Sequence, residues 1–344
     1  MSEAADFRLD EAARAGWLYY IAGKTQDDIA RILNVSRPTA QRLVSLCRSE
    51  GLVTFRMNHP VGECMRLAAS LAERYGLVHC DVVPADGTPD AARAGIAEAG
   101  AVYIERLMRS PRAIVMALGT GRSMRASVER VAPMSRSLHR LVSLVGNISP
   151  DGSASPFDAL VKLAEITGAQ HFPMPLPLHA ATAAQRDLLL GIPSVRRLFA
   201  MASRADVWMM GIGGVDRNAV LLRDGFVTRG ELLGAMRAGG VGEITGCVFD
   251  TEGRVLDGGL NARLMSVPLQ VDDPRPRICV AHGPDKVVPL RAALTGRLVN
   301  GVVTDEMTAR ALLAPDARPR TRRKQLRAGG SKPRPQKVRS GSEL

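Results

Sequence analysis

The chain has 344 residues, 46% of them hydrophobic and 23% charged, with a formal net charge of +12 at pH 7. This size and balance suit a globular protein with one large domain and one small one, and no apolar run approaches the roughly 20 residues that a membrane-spanning helix needs. The five cysteines, at 47, 64, 80, 247 and 279, are scattered without CxxC spacing, which argues against a disulfide framework or a structural zinc site and for a reduced compartment.

The chain opens on MSEAADFRLDEAARAG, a polar stretch without a signal-peptide core, so a cytoplasmic location is expected. Trp17, Leu18, Tyr19 and Ile21 suggest a first helix ending at Gly23. Thr25 and Asp28 have capping-box spacing for the next helix, and Ile29, Ile32 and Leu33 are expected on its inner face. Asn34-Val35 makes a break. Ser36 is a good N-cap for a second helix, with Pro38 in its first turn. Ala40, Leu43, Val44 and Cys47 then follow at inward spacing, leaving Arg37, Thr39, Gln41, Arg42, Ser45 and Arg48 outward until Gly51. Leu52 to Arg56 alternates like a short wing strand.

Two short helices, a tight turn and a basic outer face form a helix-turn-helix, whose second helix enters the major groove of DNA. A helical hairpin with a solvated basic face is the plainer alternative, but the caps, the break, the stripe and the charges coincide here. The DNA-facing residues are expected to be Ser36, Arg37, Thr39, Gln41, Arg42, Arg48 and Arg56. Arginine pairs bidentately with guanine and glutamine with adenine; Arg48 and Arg56 are assigned to phosphates, which position without specifying. The domain division is a helix-turn-helix domain over 1–60, a linker helix over 61–77 carrying Met65, Leu67, Ala68, Leu71 and Ala72, an α/β effector domain over 78–314, and a tail over 315–344.

From about residue 78 short apolar runs alternate with helical stretches. Strands are expected at 78–83, 113–119, 140–146, 171–177, 206–213, 277–283 and 301–306, and helices at 90–109, 122–132, 156–168, 193–204, 228–238, 285–296 and 305–314. Strands apolar throughout are covered on both faces, and the alternation predicts a doubly wound parallel sheet. Ligands of such sheets bind outside the carboxyl ends of the strands.

Five turns stand at those ends. Gly119, Thr120, Gly121, Arg122 and Ser123 form a glycine-rich strand-to-helix turn able to bring backbone N–H groups to an anion, although a tight turn alone has the same composition. Gly211 and Gly213 lie in GIGGVD. Glu243 and Asp250 bracket a short apolar run; carboxylates suit sugar hydroxyls, and Asp250 alternatively holds the turn at Thr251–Gly253. His282 and Lys286 lie in AHGPDK, with Lys286 a partner for phosphate or carboxylate or a solvated first-turn lysine. In VVTDEMTA, Thr304 is expected to cap the last helix.

The ordered set GTGRS, LVSLVGN, GIGGVD, AGGVGEITGCVFDTEGR, AHGPDK and LVNGVVTDEMTARALL, after a helix-turn-helix, resembles the SorC family of bacterial transcriptional regulators. The resemblance spans about 11–314. It implies an effector domain related to sugar-phosphate isomerases, binding of a sugar, sugar phosphate or polyol that alters the grip on operator DNA, and a homo-oligomer, dimeric or tetrameric. It also implies a polar loop at Gly119–Ser123, with Glu243 and Lys286 at family positions; His282 and Pro284 depart from the usual pattern. The competing reading is a sugar-phosphate isomerase-like enzyme with a fused DNA-binding head. Of the six histidines only His282 lies in a ligand-side loop, and no Ser/His/Asp set or metal-ligand spacing stands out. No catalytic residue, metal, cofactor or membrane contact is therefore expected. The tail holds ten Lys/Arg against Asp316 and Glu343, a net +8; its composition predicts disorder and allows non-specific attraction to nucleic acid.

Overall fold

The computed structural model describes residues 3–53, 62–85, 89–146, 148 and 158–315. Arg56, most of the expected wing and the basic tail beyond 315 lie outside the described residues.

The head is helical: α1 (Glu3–Gly16), a π-helical turn (Trp17–Ile21), α2 (Gln26–Leu33) and α3 (Arg37–Ser49). Its caps follow the sequence. Thr25 accepts from the Asp28 N–H at 3.2 Å while Asp28 accepts from the Thr25 N–H at 3.2 Å, closing the capping box. Asn34 ends α2 at φ 53°, a left-handed conformation that asparagine tolerates. Ser36 then accepts from the Thr39 N–H at 3.3 Å to open α3. Ala40, Leu43, Val44 and Cys47 bury against Ala12, Ala15, Ile29 and Ala30. Gly16 lets α1 and α3 close together, because a Cβ there would stand 2.1 Å from Cys47 Sγ.

Two expectations change here. Ile32 is 55% exposed, because the inner face of the two-turn α2 is made by Ile29, Ala30 and Leu33, and Ile32 falls about a quarter-turn outside it. Thr39 is half-buried and hydrogen-bonds Ser36 Oγ through its hydroxyl at 2.8 Å, so it belongs to the cap.

The body is built on seven parallel strands: β1 (His79–Val83), β2 (Val115–Leu118), β3 (Arg140–Ser143), β4 (Gln170–Phe172), β5 (Val207–Met210), and two that follow a smaller sheet in the chain, β9 (Arg277–Val280) and β10 (Gly301–Asp305). Their spatial order is β1-β10-β9-β5-β2-β3-β4. Alternate residues of each strand feed two cores, as the two-residue period requires. Ala117, Val142, Trp208, Met210, Cys279 and Val302 point to one core; Met116, Leu141, Val207, Met209, Ile278 and Val303 point to the other.

On the first face pack α4 (Gly62–Tyr75), α9 (Pro193–Ser203), α12 (Val287–Thr295) and α13 (Glu306–Leu313). On the second pack α5 (Pro89–Met108), α6 (Arg122–Glu129) and α7 (Leu160–Thr167). The sheet is doubly wound, as the apolar runs implied. The segment read as a linker helix, α4, buries Leu67 and Leu71 in the first core, and Arg74 and Tyr75 donate to the carbonyls of Leu313 and Leu312 at the end of α13.

Other expectations are corrected. The run 171–177 is strand only as far as Phe172, since Pro173, Pro175 and Pro177 cannot donate to a ladder; Met174 and Leu176 bury instead with Val195 and Met265. An unexpected α8 (Ala183–Gly191) starts at the Thr182 cap. The run 206–213 divides between β5 and β6 (Gly213–Gly214), which joins β7 (Gly242–Ile244) and β8 (Cys247–Phe249) in a three-stranded antiparallel sheet. Between β6 and β7 lie α10 (Val220–Arg223) and α11 (Arg229–Arg237), sharing a small core with Val248 and Leu260. Thr304 is inside β10, and Asp305 takes its expected role by accepting from the Thr308 N–H at 2.6 Å.

Candidate functional site

Chain order reverses direction between β2 and β5. From β2 the chain runs outward through β3 and β4; from β5 it runs the other way through β9 and β10. The crevice outside the carboxyl ends at such a switch point is where open α/β sheets place ligands. The turns after β2 and β5 are the glycine-rich ones, Gly119–Ser123 and Gly211–Gly214.

They touch through backbone. A Cβ on Gly211 would lie 3.3 Å from the Thr120 carbonyl oxygen, and Gly121 sits at φ 134°, a region essentially reserved for glycine. Gly119 is pinned by its N–H to the Met209 carbonyl at 2.8 Å. Arg122 opens α6, whose first N–H groups lack intrahelical acceptors. Thr120 and Ser123 are half-buried; Arg122 is exposed.

The small sheet brings a carboxylate to the same end. Glu243 stands opposite Gly213 in the β6–β7 register. Its Oε1 occupies the space a side chain would need, 2.1 Å from the Cβ position of Gly213. Its Oε2 accepts from the Gly246 N–H at 2.8 Å. Burial raises the Glu243 carboxyl above its ordinary range, opposed by the Gly246 hydrogen bond and the Lys286 charge. Lys286, 19% exposed, pairs with Asp285 at 3.1 Å. Burial also pushes the Cys279 thiol up to about 12, with Lys286 and Glu243 acting on it in opposite senses; the three side chains are neighbours.

The turn carrying Lys286 is fixed from two sides. Gly283, at φ 101°, donates to Thr308 Oγ1 at 2.9 Å, and His282 Nδ1 lies 3.7 Å from Asp305 Oδ2. Gly214 carries β6 past this turn, its Cβ position 3.6 Å from the Asp285 carbonyl. The structure thus brings together Gly119, Thr120, Gly121, Gly211, Gly213, Glu243, Lys286 and, behind Lys286, His282. Asp250 takes the other role open to it. Its Oδ1 accepts from the N–H groups of Glu252 and Arg254 at 2.9 Å each, and its Oδ2 from Arg254 Nε at 2.9 Å, so its carboxylate is committed to the turn. Asp285, which pairs with Lys286, was not singled out in the sequence because it reads as an ordinary turn residue.

A cavity of about 300 Å³ opens elsewhere, between α11 and the 256–263 loop. Two of its polar side chains are already engaged, Asn261 with the backbone of Val248 and Leu256, and Glu231 with Arg263 and the Thr228 cap. The switch point, with its half-buried carboxylate and lysine, offers more for a polar ligand.

On the head, Arg37, Gln41, Arg42, Ser45 and Arg48 are exposed along α3, with Ser36 exposed at its start. Arg37 Nε is 3.3 Å from Asp27 Oδ1 of α2. Among the described residues no helix is long and apolar enough to cross a membrane.

Comparison with known proteins decides the family. The family model described as "Putative sugar-binding domain" matches residues 59–314. The chain belongs to the SorC family of sugar-binding transcriptional regulators. It is 33% identical over 302 residues to the erythritol catabolism regulatory protein EryD of Brucella abortus, covering 88% of this chain and 96% of that one. It is also 33% identical over 309 residues to the transcriptional regulator LsrR of Klebsiella pneumoniae, covering 88% and 92%. The full-length sorbitol operon regulator SorC from Klebsiella pneumoniae shares its fold, with a TM-score of 0.71 at 24% identity over 91% of this chain and 100% of that one. This SorC-family chain is a transcriptional regulator, and its relatives are named as regulators rather than enzymes.

Proposed function

We propose that α3 of this SorC-family protein reads operator DNA and that a sugar, sugar alcohol or sugar phosphate bound at the β2/β5 switch point changes that grip. The observation that carries the reading is the convergence of two glycine turns, a half-buried carboxylate and a lysine at one crevice, in a chain that also carries a capped helix-turn-helix. Glu243 accepts from ligand hydroxyls; Gly119–Ser123 offers N–H and hydroxyl donors; Lys286 supplies positive charge. On the head, Arg37, Gln41 and Arg42 face base edges and Arg48 faces phosphate.

The regulated operon is one for carbohydrate or polyol breakdown, and erythritol is the first probe because a relative's name points to it. A homo-oligomer, dimeric or tetrameric, pairs the heads, and effector occupancy shifts the population between arrangements that space them differently. The division is a head up to residue 60, α4 within 61–77 and an effector body over 78–314; the burial of Leu67 and Leu71 supports counting α4 with the body. We read the protein as cytoplasmic, where its DNA is, and as non-enzymatic: Glu243 and Lys286 are a binding pair.

The test is binding to DNA flanking its own gene, with and without erythritol, sorbitol and ribose 5-phosphate. Arg42→Ala should cost about 1–3 kcal/mol of operator affinity and leave ligand-induced thermal stabilisation intact; Lys286→Ala should do the reverse. Failure of the wild type to bind such DNA at moderate salt removes the reading, and turnover of ribose 5-phosphate replaces it with the isomerase.

A further inference from the structure

The turn between β7 and β8 holds a residue to which neither the sequence reading nor the site above gives a role. Ile244 pairs with Cys247, leaving Thr245–Gly246 as a two-residue loop with φ values of 51° and 83°. Two positive φ values mark a type I′ turn, which favours Asn-Gly or Gly-Gly. A β-branched threonine is strained at its first position, and strain of this kind persists only where the surroundings over-determine it.

The surroundings do so here. Thr245 Oγ1 donates to the Ile244 carbonyl at 2.7 Å and shares a hydrogen bond with Ser266 Oγ at 2.8 Å. Ser266 is itself buried in a segment tied to the run after β3, where Gly146 donates to Met265 and Val267 donates to Leu144. The Thr245 methyl reaches the glycine turn after β2, since a Cβ on Gly119 would come 3.1 Å from Thr245 Cγ2. The left-handed pair also turns the Gly246 N–H back onto Glu243 Oε2 at 2.8 Å. Relaxing Thr245 to an ordinary extended conformation would swing that N–H away.

We propose that Thr245, latched by Ser266, is a positioning residue: the strained turn sets the Glu243 carboxylate, through the Gly246 N–H, to receive an effector hydroxyl. Only the last step, receipt of the hydroxyl, rests on the effector-site reading. The charged and titratable groups around Glu243 are Lys286 with its partner Asp285, Asp216 beyond β6, and the thiols of Cys247 on β8 and Cys279 on β9.

The experiment reads the carboxylate directly. Thermal midpoints of the full chain are measured from pH 4 to 8 with and without Glu243→Gln, in the wild type, Thr245→Val, Ser266→Ala and Thr245→Asn backgrounds. Burial raises the Glu243 pKa in the folded state, so the glutamate form loses stability against its Gln counterpart as pH rises from the unfolded value through the folded one. Thr245→Val and Ser266→Ala should move this loss to higher pH, because they let the turn relax and withdraw the Gly246 N–H from the carboxylate. Thr245→Asn, which tolerates the left-handed conformation, should leave it at the wild-type pH. Coincident profiles in all four backgrounds overturn the latch. An equal shift in Thr245→Asn overturns the role of the turn conformation. Titrations with erythritol and ribose 5-phosphate test the last step: weaker binding in Glu243→Gln supports it, and unchanged binding removes it while leaving the latch to the pH profile.

Discussion

The head and the switch point place their charges in opposite ways. On the head Arg37, Arg42 and Arg48 stand in water on a three-helix scaffold whose core is small aliphatic side chains. At the switch point Glu243 is half-buried, its space made by the absent side chain of Gly213 and its partner supplied by a strained turn. An exposed charge on a rigid helix can be changed with little effect on folding. A half-buried carboxylate seated against a turn is less free, because removing one partner leaves the other short of a hydrogen bond. Stability and function therefore separate in the head and are joined at the switch point. The two tryptophans report on this difference, since Trp17 is exposed in the head and Trp208 is buried in the body.

The largest effect should come from the body, away from either binding surface. Arg277, at the amino end of β9, is buried against the Trp208 ring with its guanidinium carbon 4.1 Å from the centroid. It pairs with the buried Asp273, and burial lowers its pKa to about 10. Arg277→Ala leaves Asp273 with Arg275 alone, so the cost is expected near the low end for a broken buried pair, about 3 kcal/mol. Urea denaturation followed by Trp208 fluorescence should register it, while the Trp17 transition stays put. A common shift of both transitions would show that the two regions unfold as one.

A smaller break belongs to the head. Ser36→Ala removes the acceptor of the Thr39 N–H and the hydroxyl partner of Thr39 Oγ1, for about 1 kcal/mol. It should lower the Trp17 midpoint, leave the Trp208 midpoint unchanged and weaken operator binding no more than the lost helix order accounts for.

Legibility in the sequence divided along similar lines. The head announced itself through local chemistry: both N-caps, the Asn34 break and the Ala40–Cys47 stripe all stand where residue types placed them, and the outward and inward faces misled at two positions, Ile32 and Thr39. Six of the seven parallel strands were legible as short, largely apolar runs, whereas β4 is Gln170-His171-Phe172 at the sheet edge and only His171 and Phe172 fell in the expected run. The antiparallel sheet was not. Its strands are two or three residues long, two of them rich in glycine, and carry no periodicity; what defines them is contact with one another and with the body. Thr-Gly at 245–246 was the available hairpin signal, and it was obscured because threonine is the wrong residue for that turn. Glu243 and Lys286 were found as candidate residues, whereas the seating of Glu243 against Gly213 depends on register that no local pattern encodes. Asp250 shows the converse, a carboxylate whose hydrogen bonds are those of its local turn.

The smallest expected change sharpens the head's side of the comparison. Asp27 and Arg37 form an exposed pair across the helix-turn-helix, 3.3 Å apart with about two-thirds of each side chain in solvent. Pairs of this kind contribute little to stability, so Asp27→Asn should leave the Trp17 midpoint where it is. DNA sets a different condition. An approaching phosphate must compete with Asp27 for Arg37 and also meets the aspartate's own negative charge. Removing that charge should raise affinity for unrelated duplexes and steepen the salt dependence by up to about one unit of log K against log[salt], while the ratio of operator to non-specific binding falls. Unchanged non-specific affinity would mean that Arg37 does not meet the backbone. A loss of operator affinity alone would assign Asp27 a base contact of its own, as an acceptor for a cytosine amino group, and would turn the ion pair from a competitor of DNA into part of its readout.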